Sequence, residues 1–223
     1  MPLHLVLLGP PASGKGTQGK RVAKREQIDY LSTGALLREA ASGTDKVAAD
    51  LKKVLARGGY VDDDFICRLM HDWLDQHTGG WVLDGFPRTM AQHDFLHEWL
   101  VSAGPRLDAA IALEVPKEIL IERIENRVEC PKCRWGGQAH QLVDGNHCPK
   151  CGAVAGRRAD DTTENFLNRY DEFATHTIPV IDQYAAEGSL IRCDASDDID
   201  RVTGSIAKSI HQHKSHGQAQ ENP

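Results

Sequence analysis

Apolar residues cluster in five short runs along the chain, and polar segments with helical spacing lie between most of them. The runs are HLVLLG (4–9), QIDYL (27–31), WVLDGF (81–86), AAIALEV (109–115) and SLIRCDA (189–195). The segments between them predict helices over 14–26, 62–77, 89–102, 117–127, 163–187 and 197–211. Short buried strands that alternate with helices predict an α/β fold, with a parallel five-stranded sheet flanked by helices.

Two segments interrupt this alternation. Residues 32–61 predict two short helices where a single crossover is expected. Residues 128–160 contain five glycines and little apolar material, so we expect them to hold a fold only with a bound metal. The polar tail at 213–223 is predicted to be disordered. The predicted organisation is therefore a core domain with two insertions, and the core comprises 1–31, 62–127 and 161–212.

The composition is that of an ordinary globular protein. The 223 residues suit one domain with insertions, and 40% hydrophobic residues, 26% charged residues and a net charge of −6 are unremarkable values. The negative net charge argues against a protein dedicated to nucleic-acid binding, because such proteins usually carry a basic surface. The longest apolar run, near Leu5 to Leu8, is far shorter than the ~20 residues that span a bilayer, and the first residues lack the features of a signal peptide. We expect a cytoplasmic protein without nucleic-acid or membrane partners.

The segment LVLLGPPASGKGTQGKRVA (5–23) predicts a strand, a glycine-rich turn and a helix. Gly9, Gly14 and Lys15 match the P-loop frame, in which backbone N–H groups and a helix N-terminus surround a polyphosphate. The strict frame has Ser or Thr directly after the lysine, whereas here Gly16 comes first and Thr17 follows. The alternative is a turn that only caps a helix. The predicted phosphate-binding residues are Gly9, Ala12, Ser13, Gly14, Lys15, Gly16 and Thr17.

Four of the six cysteines form two CPKC motifs separated by 14 residues, namely Cys130, Cys133, Cys148 and Cys151. This spacing is one residue shorter than the usual ~15–20 of such sites, but paired CxxC motifs still indicate zinc. Four thiolates leave no open coordination position, so the predicted site is structural. Iron or cobalt could occupy the same ligands. His140 or His147 replacing one cysteine is the alternative ligand set. Cys67 and Cys193 are predicted to be small core residues.

Five motifs in order give a resemblance over nearly the whole chain. They are GPPASGKGTQ (9–18), LSTGALLR (31–38), LDGFPRT (83–89) followed by Gln92, RIENR (123–127), and RRADD (157–161) with Arg169. Together they resemble the adenylate kinase family, in the variety with a long metal-binding lid. The resemblance implies transfer of the γ-phosphoryl group of MgATP to AMP, giving two ADP. It also implies that 32–61 binds the nucleoside monophosphate and that 128–160 is the lid.

The resemblance also implies a role for individual residues. The predicted monophosphate site comprises Thr33, Gly34, Arg38, Gly59, Tyr60, Val61, Gly85, Arg88 and Gln92. The residues predicted to contact ATP or the transferring phosphoryl group are Arg123, Arg127, Arg158 and Arg169, of which Arg158 and Arg169 also count as substrate-binding. Asp160 and Asp161 are assigned to the lid hinge. Related UMP/CMP kinases usually carry Ala and Asn at the places of Thr33 and Gln92, so this pair favours AMP.

Phosphoryl transfer needs fixed positive charges more than a nucleophile, because the charge of its transition state spreads over the equatorial oxygens. The predicted catalytic cations are Lys15, Arg88, Arg123, Arg127, Arg158 and Arg169, and Arg38 adds a seventh charge. Asp84, after a buried strand, is predicted to orient magnesium through water; its alternative is a turn aspartate. Arg123 and Arg127 are four residues apart and are predicted to share one helical face.

Two other functions remain open from the sequence. One is a kinase for UMP or CMP, and the other is a regulatory nucleotide-binding module with a zinc-dependent interaction domain. Few basic residues lie between the CPKC motifs, whereas Arg127 precedes them and Arg158 follows them. We therefore interpret the cysteine region as a lid that closes over the site and excludes water. The predicted protein is a monomer that binds ATP, AMP and ADP.

Overall fold

A computed structural model describes residues 2–158 and 161–220, with side chains as far as His213. The main sheet has five parallel strands: β1 (His4–Leu8), β2 (Asp29–Ser32), β3 (Trp81–Asp84), β4 (Ala109–Glu114) and β7 (Leu190–Asp194). Their order across the sheet is β2-β3-β1-β4-β7. The predicted α/β fold with a five-stranded parallel sheet is confirmed.

The central strand β1 pairs on both sides. Val6 lies in register with Leu83 on β3 and with Ala110 on β4, and none of the three side chains is exposed to solvent. Helices cover both faces of the sheet, which is why these strands are continuous apolar runs rather than alternating ones. The carboxyl ends of β1 and β3 therefore meet at one edge, where Leu7 lies beside Asp84.

Seven helices follow or flank these strands: α1 (Lys15–Glu26), α4 (Asp63–Gln76), α5 (Met90–Ala103), α6 (Lys117–Glu125), α7 (Thr163–Glu172), α8 (Ile178–Ala186) and α9 (Ile199–Gln220). Helices α1 and α9 pack together on one face, where Val22 and Ile206 are buried. Helices α4, α5 and α8 cover the other face, and Met70 and Val180 belong to that core. A π-helical turn at Phe173–Thr177 joins α7 to α8.

The first insertion contains the two short helices that the sequence predicts, α2 (Thr33–Ala40) and α3 (Lys46–Ala56). Each begins at an N-cap whose side chain accepts a backbone hydrogen bond, Ser32 from Ala35 and Asp45 from Ala48. Their buried leucines join the core on the α4 side of the sheet. The insertion therefore packs directly onto the sheet edge that carries Asp84.

The cysteine region forms a small separate unit. Strands β5 (Arg127–Glu129) and β6 (Gly136–Gln138) pair antiparallel, and a 3₁₀ turn at Ala139–Gln141 follows. Its buried apolar cluster consists of two cysteines and Ala155, and Val128 on β5 is the other buried apolar residue among those described. Such a small apolar core fits the expectation that the fold of this region depends on a metal.

Two predicted helix ends are wrong. Helix α6 ends at Glu125, and the Asn126 side chain donates to the Glu122 carbonyl at 3.0 Å, so Arg127 starts β5 and does not share a helical face with Arg123. Helix α9 continues to Gln220, past the predicted end at 211 and into the predicted tail. The extension contains no proline, so its backbone can continue the helix although Gly217 is a poor helix former. No helix in the described ranges is long and apolar enough to cross a membrane.

Candidate functional site

The glycine-rich loop between β1 and α1 has a backbone that few side chains can adopt. Gly9, Ala12 and Gly14 all have positive φ, at 141°, 63° and 94°. A Cβ on Gly9 would lie 2.7 Å from the Leu113 carbonyl oxygen. Ala12 adopts the left-handed conformation despite its Cβ, at a cost of about 1–2 kcal/mol. The loop is thus held in a costly shape, which is common where backbone groups surround a ligand.

Lys15 opens helix α1 and folds back over the loop. Its ammonium group donates to the carbonyl oxygens of Gly9 and Pro10 at 2.7 and 2.8 Å. Burial lowers the pKa of Lys15 to about 7; Asp84 opposes this shift, whereas Arg88 and neighbouring arginines add to it. Arg169 and Arg127 are the other two arginines in that set. Four of the predicted cations therefore lie close enough to influence one another.

Asp84 lies at the end of β3, facing the start of α1. Its carboxylate is 7% exposed and accepts a hydrogen bond from the Tyr30 hydroxyl at 2.7 Å. A Cβ on Gly16 would lie 3.5 Å from the same carboxylate oxygen. The predicted site did not include Tyr30. The related feature of the sequence is the glycine at position 19, because an added Cβ there would lie 2.6 Å from the Tyr30 ring.

A pocket opens between the first insertion and the carboxyl edge of the sheet. Seven residues predicted for the monophosphate site line it: Thr33, Gly59, Tyr60, Val61, Gly85, Arg88 and Gln92. The sequence did not indicate the apolar part of the wall, which is formed by Leu37, Leu55 and Ile66. The pocket wall thus combines polar groups with aliphatic side chains, as small-molecule sites usually do.

Hydrogen bonds fix the position of Arg88 in the wall of this pocket. Its Nε donates to the Gly85 carbonyl at 2.7 Å, and its backbone N–H donates to Gln92 Oε1 at 2.8 Å. The Gln92 amide nitrogen donates in turn to Asp63 at 2.7 Å, and Asp63 also accepts from Thr89. Asp63 is another residue that sequence reasoning missed, because no local pattern distinguishes it from its acidic neighbours.

Two further predicted arginines approach the same place. A Cβ on Gly34 would lie 3.3 Å from Arg38 Nη1 and 3.8 Å from Arg88 Nη2, so glycine leaves room for both guanidinium groups. A Cβ on Gly58 would lie 2.7 Å from Arg169 Cγ, which shows that the insertion touches helix α7. Arg88 therefore lines the pocket, Arg38 lies close to Arg88 on α2, and Arg169 contacts the first insertion from α7.

The remaining predicted arginines are engaged elsewhere. Arg123 donates to the Ala195 and Ser196 carbonyls at 2.8 and 3.2 Å. Its guanidinium group therefore lies just after the end of β7. Arg127 forms a two-pronged ion pair with Asp161, whose side chain is fully buried. Arg158 pairs with Glu129. Asp160, the other predicted hinge aspartate, lies outside the described residues.

The four cysteines of the CPKC motifs converge in the second insertion. Their sulfur atoms all lie within 4.8 Å of one another, and the Cys130–Cys151 and Cys133–Cys148 pairs are both 3.6 Å apart. Four sulfurs bound at ~2.3 Å around a tetrahedral ion would be ~3.8 Å apart, whereas a disulfide is ~2.05 Å long. The arrangement fits a four-thiolate metal centre.

The two CPKC turns have the same backbone. Arg134 donates its N–H to the Cys130 carbonyl at 2.9 Å, and Gly152 donates to the Cys148 carbonyl at 2.9 Å. Both donors have a left-handed backbone, with φ of 56° and 70°. Among the described residues the cluster contains cysteines alone, so the predicted alternative with a histidine ligand finds no support.

Comparison with known proteins gives consistent matches. A family model described as "Adenylate kinase" matches residues 7–189. The chain is 37% identical over 215 residues to an adenylate kinase of Kosmotoga olearia, covering 93% of this chain and 99% of that protein. It is 36% identical over 220 residues to one of Archaeoglobus fulgidus, covering 96% and 100%. It is 38% identical over 210 residues to one of Allorhizobium ampelinum, covering 92% and 97%.

Proposed function

The chain belongs to the adenylate kinase family, and we propose that it transfers the terminal phosphoryl group of MgATP reversibly to AMP, giving two ADP. The observation that carries this proposal is the pocket that contains Thr33, Arg88 and Gln92 beside the P-loop. Arg88 lies near enough to lower the pKa of Lys15. A phosphate bound at Arg88 would therefore be close to a phosphate bound at Lys15.

In this proposal the loop from Gly9 to Thr17 surrounds the ATP phosphates with backbone N–H groups. Lys15 leaves the Gly9 and Pro10 carbonyls and bonds to the phosphates, whose negative charge favours its charged form. Arg38, Arg88 and Arg169 bind the AMP phosphate and the phosphoryl group in transfer. Cations fixed in this way stabilise charge that grows in the transition state and need no reorganisation during the step.

Magnesium bound with ATP would supply positive charge that offsets part of the phosphate charge. The residues that would hold it are Asp84, acting through water, and Thr17, which supplies the hydroxyl that P-loops direct at the metal. The chemistry of this donor set fits, because Asp84 is a buried carboxylate already oriented by Tyr30.

The lid metal is proposed to be zinc, bound by Cys130, Cys133, Cys148 and Cys151. Its closed thiolate shell gives it a structural role, which is to make 128–160 move as one body. The closed lid excludes water, so that the phosphoryl group passes to AMP and not to solvent. We further propose that the protein acts as a monomer in the cytoplasm.

AMP is the proposed acceptor because of Thr33 and Gln92. The Gln92 amide is fixed between the Arg88 N–H and Asp63, so its orientation in the pocket wall is set before a ligand binds. The amide keeps one acceptor lone pair and one N–H beyond these two bonds, and a base with the wrong hydrogen-bonding edge would leave them unmatched.

The test is ADP formation from ATP with AMP, UMP, CMP or GMP as the acceptor. We expect turnover with AMP at least tenfold above that with the other three. A preference for UMP or CMP would make the protein a pyrimidine nucleotide kinase. Binding of ATP without turnover on any acceptor would favour the regulatory nucleotide-binding module instead.

A further inference from the structure

We propose that Tyr60 is a positioning residue that orients Arg88 and makes this orientation depend on the place of the first insertion. Tyr60 follows α3, on the insertion, whereas Arg88 lies after β3, on the core. The Tyr60 ring lies 5.2 Å from the Arg88 guanidinium carbon. The inference rests on the proposed function, because it concerns how Arg88 meets the AMP phosphate.

A chain of two hydrogen bonds also joins Tyr60 to Arg88. The Thr177 hydroxyl donates to the Arg88 carbonyl at 2.9 Å, and the Tyr60 hydroxyl lies 2.9 Å from the Thr177 oxygen. Because the single Thr177 proton goes to Arg88, Tyr60 must be the donor to Thr177. The Thr177 side chain is buried and closes the π-helical turn between α7 and α8. Such turns often occur at functional sites.

Together these contacts fix Arg88 at four points. Gln92 accepts from its N–H, Thr177 donates to its carbonyl, the Gly85 carbonyl accepts from its Nε, and the Tyr60 ring covers its guanidinium group. Within the described residues no hydrogen bond from an Arg88 Nη atom accompanies these four. The guanidinium group is thus presented with its Nη donors available to an anion, as bidentate phosphate binding needs.

Three of the four contacts come from the core and one from the insertion. Gly85, Gln92 and Thr177 hold Arg88 wherever the insertion lies, but the Tyr60 ring reaches it only when the insertion packs against the core. The hydroxyl and the ring have separable effects. The hydroxyl ties the insertion to Thr177, and the ring restricts the guanidinium plane through a cation–π contact.

The experiment compares Tyr60→Phe and Tyr60→Leu with the wild type in steady-state kinetics. Tyr60→Phe loses the bond to Thr177, and we expect KM for AMP to rise about threefold, the effect of one hydrogen bond. Tyr60→Leu loses the ring as well, and we expect kcat/KM for AMP to fall about tenfold or more, with kcat itself reduced. KM for ATP and the thermal unfolding midpoint should stay at wild-type values in both variants.

A double-mutant cycle separates positioning from a general structural role. AMP affinity, measured by calorimetry, should fall in Tyr60→Leu and in Arg88→Ala, but when Arg88 is already alanine Tyr60→Leu should cause no more loss than Tyr60→Phe does, because only the ring acts through the guanidinium group. Tyr170→Phe is the matched control, because this tyrosine lies on α7 and no described hydrogen bond involves its hydroxyl. We expect it to behave as the wild type.

Three results would overturn the inference. They are wild-type AMP kinetics in Tyr60→Leu, full additivity with Arg88→Ala, and an equal rise in KM for ATP and AMP. The proposed function fails separately, since a wild type without AMP turnover would refute it before any variant is compared.

Discussion

Replacing Gly58 with alanine should loosen the contact between the first insertion and helix α7. Gly58 has a φ of +73°, a left-handed backbone that costs a non-glycine residue about 1–2 kcal/mol. The new Cβ would also lie 2.7 Å from Arg169 Cγ and 3.0 Å from the Asn165 carbonyl oxygen. The arginine side chain can shift, but the carbonyl belongs to the α7 backbone and can shift only with the helix.

The magnitude follows from these terms. Overpacking costs about 1–3 kcal/mol, and the lower entropy of the unfolded alanine chain returns about 0.4–1 kcal/mol. With the backbone term, the expected net loss in the free energy of unfolding is about 1–5 kcal/mol, with a central value of ~3 kcal/mol. Arg169 would move as well, so KM for AMP should rise in the same variant.

The adjacent glycine supplies the control for stability. A Cβ on Gly59 would meet its nearest neighbour, Val54 Cγ1, at 3.7 Å, which is an ordinary contact. Gly59→Ala should therefore change the free energy of unfolding by less than about 1 kcal/mol. Urea unfolding at constant m-value measures both variants. Equal stabilities for the two alanine variants would refute the reasoning, because they would show that neither the backbone of Gly58 nor its contact with α7 is restrictive.

Three other predictions test the site and its surroundings. Arg88→Ala should lower kcat/KM by roughly 10²–10³, the effect of losing ~3–4 kcal/mol of transition-state stabilisation, and a loss below tenfold would remove Arg88 from the site. Chelating the lid metal should speed hydrogen exchange at 128–158 and leave β1 protected; unchanged exchange in the lid of metal-free protein would contradict a structural metal. Gly19→Ala should lower the thermal unfolding midpoint although alanine favours helices, because its Cβ would lie 2.6 Å from the Tyr30 ring. Adding Tyr30→Leu should recover part of that loss, and no recovery would show that the clash lies elsewhere.

The sequence predicts local features of this protein better than pairings of distant residues. The runs around Leu5–Leu8 and Trp81–Asp84 are continuous because both faces of their strands are buried, and that signal is local. The predicted end of α6 is wrong by two residues. The cause is that β5 begins at Arg127, and its partner strand β6 comes later in the chain. The Tyr60–Thr177 bond joins residues 117 positions apart, and no periodicity encodes such a pair.

The candidate site shows the same division. The motifs around Lys15 and Asp84 indicate the phosphate loop because backbone geometry and residue type act locally there. By contrast, Asp63 and Tyr30 became site residues only when the fold brought them to Gln92 and Asp84. Their chemistry is ordinary, so the sequence alone gives no reason to select them over similar residues nearby.

Three of the predicted phosphate-binding arginines are held in the same way. Arg88 donates from Nε to the Gly85 carbonyl, Arg127 donates from Nε and Nη2 to Asp161, and Arg158 contacts Glu129 through Nε as an ion pair. In each case an oxygen atom of the protein contacts the Nε edge of the guanidinium group.

These contacts at the Nε edge have two energetic consequences. Losing rotamer freedom costs a long side chain up to ~2 kcal/mol. Because these arginines are already ordered in the free protein, phosphate binding does not include this cost. Asp161 is fully buried, so releasing Arg127 to bind a phosphate alone would leave an unpaired carboxylate, at a cost of ~3–5 kcal/mol. Arg127 should therefore bind phosphate through its remaining Nη1 atom while it stays paired with Asp161. The acidic residues that flank the lid then orient the cations and do not compete with the substrate for them.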